Sequence, residues 1–171
     1  MLTTLKNGRL TVTADTRGAE LQTIDKDGGP SYLWSGDPAF WAFHAPTLFP
    51  IIGALRGGRA LSAGGEISLP KHGFCRTAEF ALEDAGDTFV TYRLTDSDAT
   101  RKGYPFAFCL RVRYTLEGDS VETRYTVTNR SEQDMPFFIG GHPAFRVPLS
   151  EGETLEDYLV EFPEKETLDC P

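Results

Sequence analysis

The sequence predicts an all-β, antiparallel fold, and three observations support this. Apolar and polar residues alternate along the longest apolar stretches, as in strands that bury one face. Short turns rich in Gly, Asp and Pro, such as "DKDGGP", "GDP" and "LRGGR", separate these stretches. No stretch shows a sustained helical repeat of apolar residues, and only "DPAFWAF" suggests a helical turn.

The clearest predicted element is a long β-hairpin. Residues 106–117 are apolar at every second position, and the alternation resumes over residues 121–128 after the turn "GDS". Two alternating runs joined by a Gly-Asp turn are typical of an antiparallel strand pair. Shorter strands are predicted at residues 10–14, 20–25, 79–83, 89–94, 135–139 and 158–162.

Length and composition indicate one folded domain over residues 1–171. The chain is 40% apolar and 12% aromatic, which suits a globule with a real core. No apolar run approaches the ~20 residues of a membrane span, and the N-terminus lacks a signal-peptide pattern. The three cysteines are odd in number and far apart, which favours reduced thiols, so we expect a cytoplasmic protein with no membrane partner.

The net charge of −8 is unevenly distributed. Residues 151–171 hold eight acids and one base, whereas the preceding 150 residues hold 17 acids and 16 bases. No basic surplus remains to neutralise phosphates, so we expect no nucleic-acid partner. The acidic segment is either a solvated tail or a strand and turn of a larger domain.

Three segments, residues 41–59, 69–76 and 140–148, combine a histidine with glycines and prolines. Each histidine is therefore expected at a strand end or in a loop, where functional side chains tend to lie. His44, among aromatic residues, is interpreted as a packing residue. Functional and structural roles stay open for His72 and for His142, whose two preceding glycines permit unusual backbone angles, a bulge or the close approach of a ligand.

Other chemistries receive less support from the residues. His72 and Cys75 in "HGFC" have a ligand-like spacing and His142 could be a third ligand, but no second ligand pair accompanies them, so we expect no metal and no cofactor. Cys75 lacks a recognisable oxyanion hole for a nucleophilic role. The stretch "LRGGR" could contact a phosphate, yet it lacks the Gly-Lys-Ser/Thr of a P-loop.

The segments "HAPTLFPIIGALRGG", "LPKHGFCRTAEF" and "GGHPAF", in this order, resemble the aldose 1-epimerase (mutarotase) family, in its bacterial branch named after lactose-operon proteins. The resemblance extends over residues 104–145 and "YLVEFPEKETLD", and so covers most of the chain. It implies an antiparallel β-supersandwich with a sugar cleft. It also implies an isomerase that interconverts the α- and β-anomers of a hexose without a cofactor.

The resemblance assigns roles to particular residues. Anomer interconversion needs a base at the anomeric hydroxyl and an acid at the ring oxygen, and imidazole exchanges protons readily near neutral pH. By resemblance, His142 corresponds to the general acid, and His72 to a second histidine at the sugar that orients the ring. Arg76, Arg56 and Phe145 are candidate substrate contacts, with Trp41 as another aromatic that could stack on the sugar.

Two features depart from the family pattern. Ala54 stands where relatives commonly have an arginine, a role that Arg56 or Arg59 could take over. The family's catalytic glutamate has no match in residues 151–171. We therefore expect an N-terminal portion of the sandwich, with little activity by itself, that self-associates or binds a complementing C-terminal segment. The alternatives are a non-catalytic carbohydrate-binding module of the same fold and a structural protein with incidental histidines.

Overall fold

A computed structural model describes residues 1–165 and 167 and is built almost entirely of antiparallel strands, which confirms the predicted fold class. The strands in chain order are β1 (Leu2–Lys6), β2 (Leu10–Asp15), β3 (Glu20–Lys26), β4 (Thr47–Leu48), β5 (Arg59–Ser62), β6 (Gly65–Ser68), β7 (Ala81–Ala85), β8 (Phe89–Thr95), β9 (Phe108–Glu117), β10 (Ser120–Asn129) and β11 (Gly140–Gly141). One short helix, α1 (Asp98–Arg101), and 3-10 turns at Arg56–Gly58, Cys75–Thr77 and Leu155–Asp157 interrupt them.

Two sheets enclose the core. One has the order β1-β2-β3 and the other β10-β9-β8-β7. The inward faces of β2, β8 and β9 are apolar at alternate positions, so burial of those side chains holds the sheets together. Two buried tyrosines also bridge the layers, since the Tyr92 hydroxyl donates to the Ala14 carbonyl (3.1 Å) and the Tyr114 hydroxyl to the Ala19 carbonyl (2.6 Å).

The predicted hairpin is present as β9 and β10, which pair over ten residues from Phe108–Asn129 to Glu117–Ser120. The strands predicted at residues 10–14, 20–25, 79–83 and 89–94 are also present as β2, β3, β7 and β8, with β7 shifted by two residues. The prediction missed β1, β4, β5, β6 and β11, whose short runs carry little alternation, and it missed α1.

Two predicted strands are wrong. Residues 135–139 form no strand. Pro136 has no amide hydrogen to donate, its carbonyl accepts from the Tyr104 side chain at 3.0 Å, and the Phe138 amide donates to the Pro50 carbonyl at 2.9 Å without a strand pairing. Residues 158–162 also form no strand: Leu159 and Val160 are more than 80% exposed, and no described strand lies beside them. The stretch "LRGGR" contains a 3-10 turn.

A small strand pair carries the third histidine-bearing segment. β11 pairs with β4 in antiparallel register, Gly140 opposite Leu48 and Gly141 opposite Thr47. The pairing continues beyond β11, where the His142 amide donates to the Pro46 carbonyl at 3.0 Å and the Ala144 amide to the His44 carbonyl at 2.8 Å. His142 is therefore held by a backbone hydrogen bond just beyond the end of β11.

The loop of residues 69–76 docks on the chain that follows β4. The Phe49 carbonyl accepts hydrogen bonds from the amides of Phe74 and Cys75, both at 3.2 Å, and Gly73 lies against the same carbonyl. This docking brings His72 next to the β4–β11 pair. In the part of the chain that is described, no helix has the length and apolar character needed to cross a membrane.

Candidate functional site

The structure brings His72 and His142 together although 70 positions separate them in the sequence. Their ring centroids lie 6.1 Å apart, with the planes at 70° to each other. His142 is exposed and His72 is half-buried, so solvent reaches both rings. Two imidazoles on one accessible surface can contact the same small polar molecule.

Two aromatic side chains border this histidine pair. The Trp41 ring lies 5.2 Å from the His142 ring, and the Phe43 ring lies 5.7 Å from Trp41. Flat apolar rings beside hydrogen-bonding groups suit a ligand that has both apolar and hydroxylated faces.

Arg76 completes the border on the far side. Its guanidinium lies over the Phe43 ring at 5.1 Å from the centroid, and one of its nitrogens contacts the Lys71 carbonyl at 3.5 Å. Cation–π contact with Phe43 holds the charge near the loop that carries His72. We call His72, His142, Trp41, Phe43 and Arg76 the histidine site.

Backbone hydrogen bonds orient His72. Its amide donates to the Gly53 carbonyl at 2.7 Å, and the Gly53 amide donates to its ring Nδ1 at 3.0 Å. Burial lowers the pKa of His72, and the positive charges of Arg76 and Lys71 and the neighbouring His142 lower it further. The ring is therefore biased towards its neutral form.

The two glycines before His142 serve to bring protein side chains close. A Cβ on Gly140 would stand 3.0 Å from the end of Ile52, and one on Gly141 would stand 3.3 Å from the Tyr125 hydroxyl. Neither glycine has a positive φ. Unusual backbone angles, one of the sequence-based alternatives, therefore do not explain these glycines. Close packing against the protein itself, which the sequence did not indicate, does.

One of the predicted substrate contacts, Phe145, lies apart from the histidine site. Phe145 lines a cavity of about 520 Å³ with Tyr32, Leu155 and Tyr158, among others. It is three residues beyond His142 on an extended chain, and an odd offset turns its side chain to the opposite face. Arg56 is exposed in its 3-10 turn, and no hydrogen bond or ion pair involves it in the described part of the chain. Ala54, beside Gly53, is exposed.

His44 has a packing role, in agreement with its interpretation from the sequence. Its Nδ1 lies 2.8 Å from the Trp34 carbonyl, and its ring covers Gly36 so closely that a side chain there would overlap it. The buried Glu20 carboxylate accepts the amides of His44 and Ala45 at 2.6 and 3.0 Å and so fixes the start of β4. The sequence did not indicate this role of Glu20, because 24 residues separate it from its partner.

The described residues offer little support for a metal site or for a cysteine nucleophile. Among residues 1–165 and 167, no group of three or more His, Cys, Asp or Glu side chains is arranged around a common metal position. The Cys75 side chain is fully buried, and burial raises the pKa of its thiol far above the ordinary value. A buried, protonated thiol is a poor nucleophile.

Comparison with known families decides the classification. A sequence model described as aldose 1-epimerase matches residues 1–170.

The chain belongs to the aldose 1-epimerase family.

Individual relatives agree with this assignment. The plasmid and chromosomal LacX proteins of Lactococcus lactis subsp. lactis are each 43% identical over 173 residues, covering 98% of this chain and 58% of the LacX sequence. The chain thus spans less than two thirds of the length of these relatives.

Solved structures share the fold. A galactose mutarotase related enzyme from Lactobacillus acidophilus superposes with a TM-score of 0.87 and 37% identity, over 92% of this chain and 53% of that one. A galactose mutarotase-like protein from Lactobacillus casei gives a TM-score of 0.82 and 37% identity, over 88% and 52%. The antiparallel sheets described above are therefore those of the galactose mutarotase-like fold.

Proposed function

We propose that this chain carries the sugar-binding surface and the general acid of an aldose 1-epimerase, an isomerase that interconverts the α- and β-anomers of a hexose. The observation that carries the proposal is the proximity of His72 and His142, 6.1 Å apart on an accessible surface beside Trp41. Family membership supplies the reaction class, and the geometry supplies residues for two of its tasks.

In the proposed reaction the hexose ring lies across the histidine pair with its apolar face on Trp41. Protonated His142 donates a proton to the ring oxygen as the bond between that oxygen and the anomeric carbon breaks, while a base removes the proton of the anomeric hydroxyl. Rotation of the open aldehyde exposes its other face. Reversal of the proton transfers then closes the ring as the other anomer, and His142 recovers its proton.

Trp41 replaces Phe145 as the proposed stacking residue, since Trp41 contacts the His142 ring and Phe145 faces another cavity. Arg76 remains the proposed hydroxyl contact because it belongs to the histidine site. Arg56 is proposed only as a peripheral contact, since it is exposed and makes no described polar contact. The base is not assigned to a residue of this chain.

A second candidate function is a carbohydrate-binding module without turnover. In residues 1–165 and 167, no carboxylate forms a hydrogen bond with the ring of His72 or His142, and the charges acting on His72 are positive. Such a surface binds hydroxyl groups without removing the anomeric proton. Binding and turnover therefore need separate measurements.

The test is polarimetry of freshly dissolved α-glucose and α-galactose, together with sugar titration followed by tryptophan fluorescence. We expect a fluorescence change that Trp41→Phe abolishes and Trp34→Phe retains, because Trp41 adjoins the site. A mutarotation rate above buffer that His142→Ala removes would support the enzyme. Binding without such a rate would support the sugar-binding surface and would show that this chain by itself acts only as a binding module, and absence of both would overturn the proposal.

We further propose that the protein is cytoplasmic. We also propose that a partner, either a second copy of this chain or a complementing segment, pairs with the free edge of β10. Within the described residues β10 pairs with β9 on one side only, over ten residues. A long unpaired strand edge favours association with another strand.

A further inference from the structure

The backbone at His72 adopts a conformation that a histidine rarely takes. Its φ is +68°, in the left-handed region, and Gly73 follows at +71°. A non-glycine residue in this region carries strain on the order of 1 kcal/mol or more, and such strain persists only where surrounding contacts over-determine it. The contacts in question are the two reciprocal hydrogen bonds between His72 and Gly53.

One of these two bonds determines where the ring proton lies. The Gly53 amide can only donate, so Nδ1 of His72, 3.0 Å away, must offer its lone pair. A neutral imidazole has one proton, and in His72 that proton must therefore be on Nε2. The Nε2–H group is then a donor that the Gly53 bond leaves available to a ligand.

His44 provides the opposite case in the same molecule. Its Nδ1 lies 2.8 Å from the carbonyl oxygen of Trp34, which can only accept. The proton of neutral His44 must therefore be on Nδ1. Two histidines of one chain are thus held in opposite tautomers by backbone groups of opposite polarity.

We propose that the Gly53 amide is a positioning group that holds His72 in the Nε2–H tautomer, so that His72 only donates a hydrogen bond to the sugar and exchanges no proton during the reaction. This inference rests on the proposed function. It separates the two histidines of the site into a fixed donor, His72, and a proton carrier, His142. It also assigns Gly53 a role through its backbone amide, and a comparison of side chains alone would not show this role.

Electrostatics around the ring act in the same direction. Protonation of Nδ1 would place one N–H group against another and would break the bond to Gly53. The groups that face the ring, Lys71, Arg76 and His142, contribute no negative charge that would stabilise an imidazolium, and together with burial they lower the pKa of His72.

The direct test is a two-bond ¹H–¹⁵N NMR spectrum of the protein labelled with ¹⁵N-histidine, recorded at neutral pH. The chain has three histidines, so the spectra of His72→Asn and His142→Gln assign all of them. We expect the Nε2–H pattern for His72 and the Nδ1–H pattern for His44. An Nδ1–H or averaged pattern at His72, while His44 keeps its own pattern, would overturn the proposal.

A pair of variants tests the donor role in sugar binding. The Asn oxygen overlays Nδ1, so His72→Asn keeps the acceptor for Gly53 and removes the donor, whereas the Gln amide of His72→Gln reaches towards Nε2 and does not overlay Nδ1. We expect His72→Asn to keep the thermal unfolding midpoint within a few degrees and to weaken sugar binding about tenfold. We expect His72→Gln to bind the sugar more tightly than His72→Asn does and to unfold at a lower temperature.

Equal binding by the two variants would contradict a donor role. If the unmodified chain binds no sugar, the proposed function fails, yet the NMR pattern still decides the tautomer. The two failures are therefore distinguishable.

Discussion

At the scale of single residues, Gly73 is the most constrained position beside the histidine site. A Cβ there would overlap the Phe49 carbonyl, and its φ is +71°. We expect Gly73→Ala to lower the free energy of unfolding by about 3 kcal/mol or more, because overpacking against backbone adds to the strain of a left-handed residue.

Gly118, in the turn of the β9–β10 hairpin, is the matched control. Its φ is +58°, but a Cβ there meets nothing within 4 Å. Gly118→Ala should therefore lower the free energy of unfolding by only about 1 kcal/mol, from backbone strain alone. Urea denaturation of both variants measures the difference, and equal losses would mean that the contact with Phe49 yields easily.

A second residue-scale prediction concerns pH. The pKa of His72 is lowered from an ordinary value of 6.5, so the folded state takes up a proton at this ring less readily than the unfolded chain. The contribution of His72 to stability is therefore present above pH 6.5 and is lost as the pH falls through the lowered pKa. Thermal unfolding of the unmodified chain should show a loss of stability as the pH falls below 6.5, and His72→Asn should reduce that loss. An equal loss in both proteins would contradict the prediction.

At the scale of elements, the β7-β8-β9 surface depends on one bulged residue. Arg93 and Arg111 stand directly opposite each other in the β8–β9 pair, an unfavourable arrangement for like charges. Glu83, at the irregularity in β7, reaches both, at 2.6 and 3.0 Å from Arg111 nitrogens and 3.5 Å from Arg93. The bulge thus directs a carboxylate across β8 to compensate two cations.

Glu83→Gln should lower the free energy of unfolding by up to about 1 kcal/mol, because the two arginines then lack a counter-charge. Arg111 lowers the pKa of Glu83 from its ordinary 4.5, so this contribution exists above pH 4.5 and disappears as the pH falls through the lowered pKa. Glu122→Gln is the control, since Glu122 pairs with Arg124 on its own strand. A difference between the variants that persists at pH 2 would contradict the ionic origin.

Elements also show how far alternation predicts structure. The predicted hairpin boundaries, 106–117 and 121–128, agree with β9 and β10 within two residues, because a half-buried strand pair must alternate. The failures at residues 135–139 and 158–162 have a different cause. Apolar composition indicates a strand only where a partner strand is available, and partner availability is a property of the assembled fold.

At the scale of the whole molecule, one edge of β10 pairs with no strand among the described residues. We expect a polypeptide of these 171 residues to self-associate with rising concentration. Thr126 is exposed on β10, and Thr126→Lys should reduce self-association, because a lysine on an edge strand opposes pairing with another strand. Size-exclusion chromatography with light scattering measures both masses. Thr91→Ser on the central strand β8 is the control, and a compact monomer at every concentration would contradict the prediction.

The sequence by itself determined the antiparallel class, the long hairpin and the three histidine-bearing segments, because alternation and turn residues are local consequences of a strand that buries one face. Family resemblance added the expectation that His72 and His142 serve one site. Only the tertiary structure shows that these two rings lie together, that Trp41 and not Phe145 borders them, and that the Gly53 amide donates a hydrogen bond to the His72 ring. Those facts depend on which strands and loops dock on each other, and docking is set by long-range packing and hydrogen bonds that no local stretch of sequence encodes.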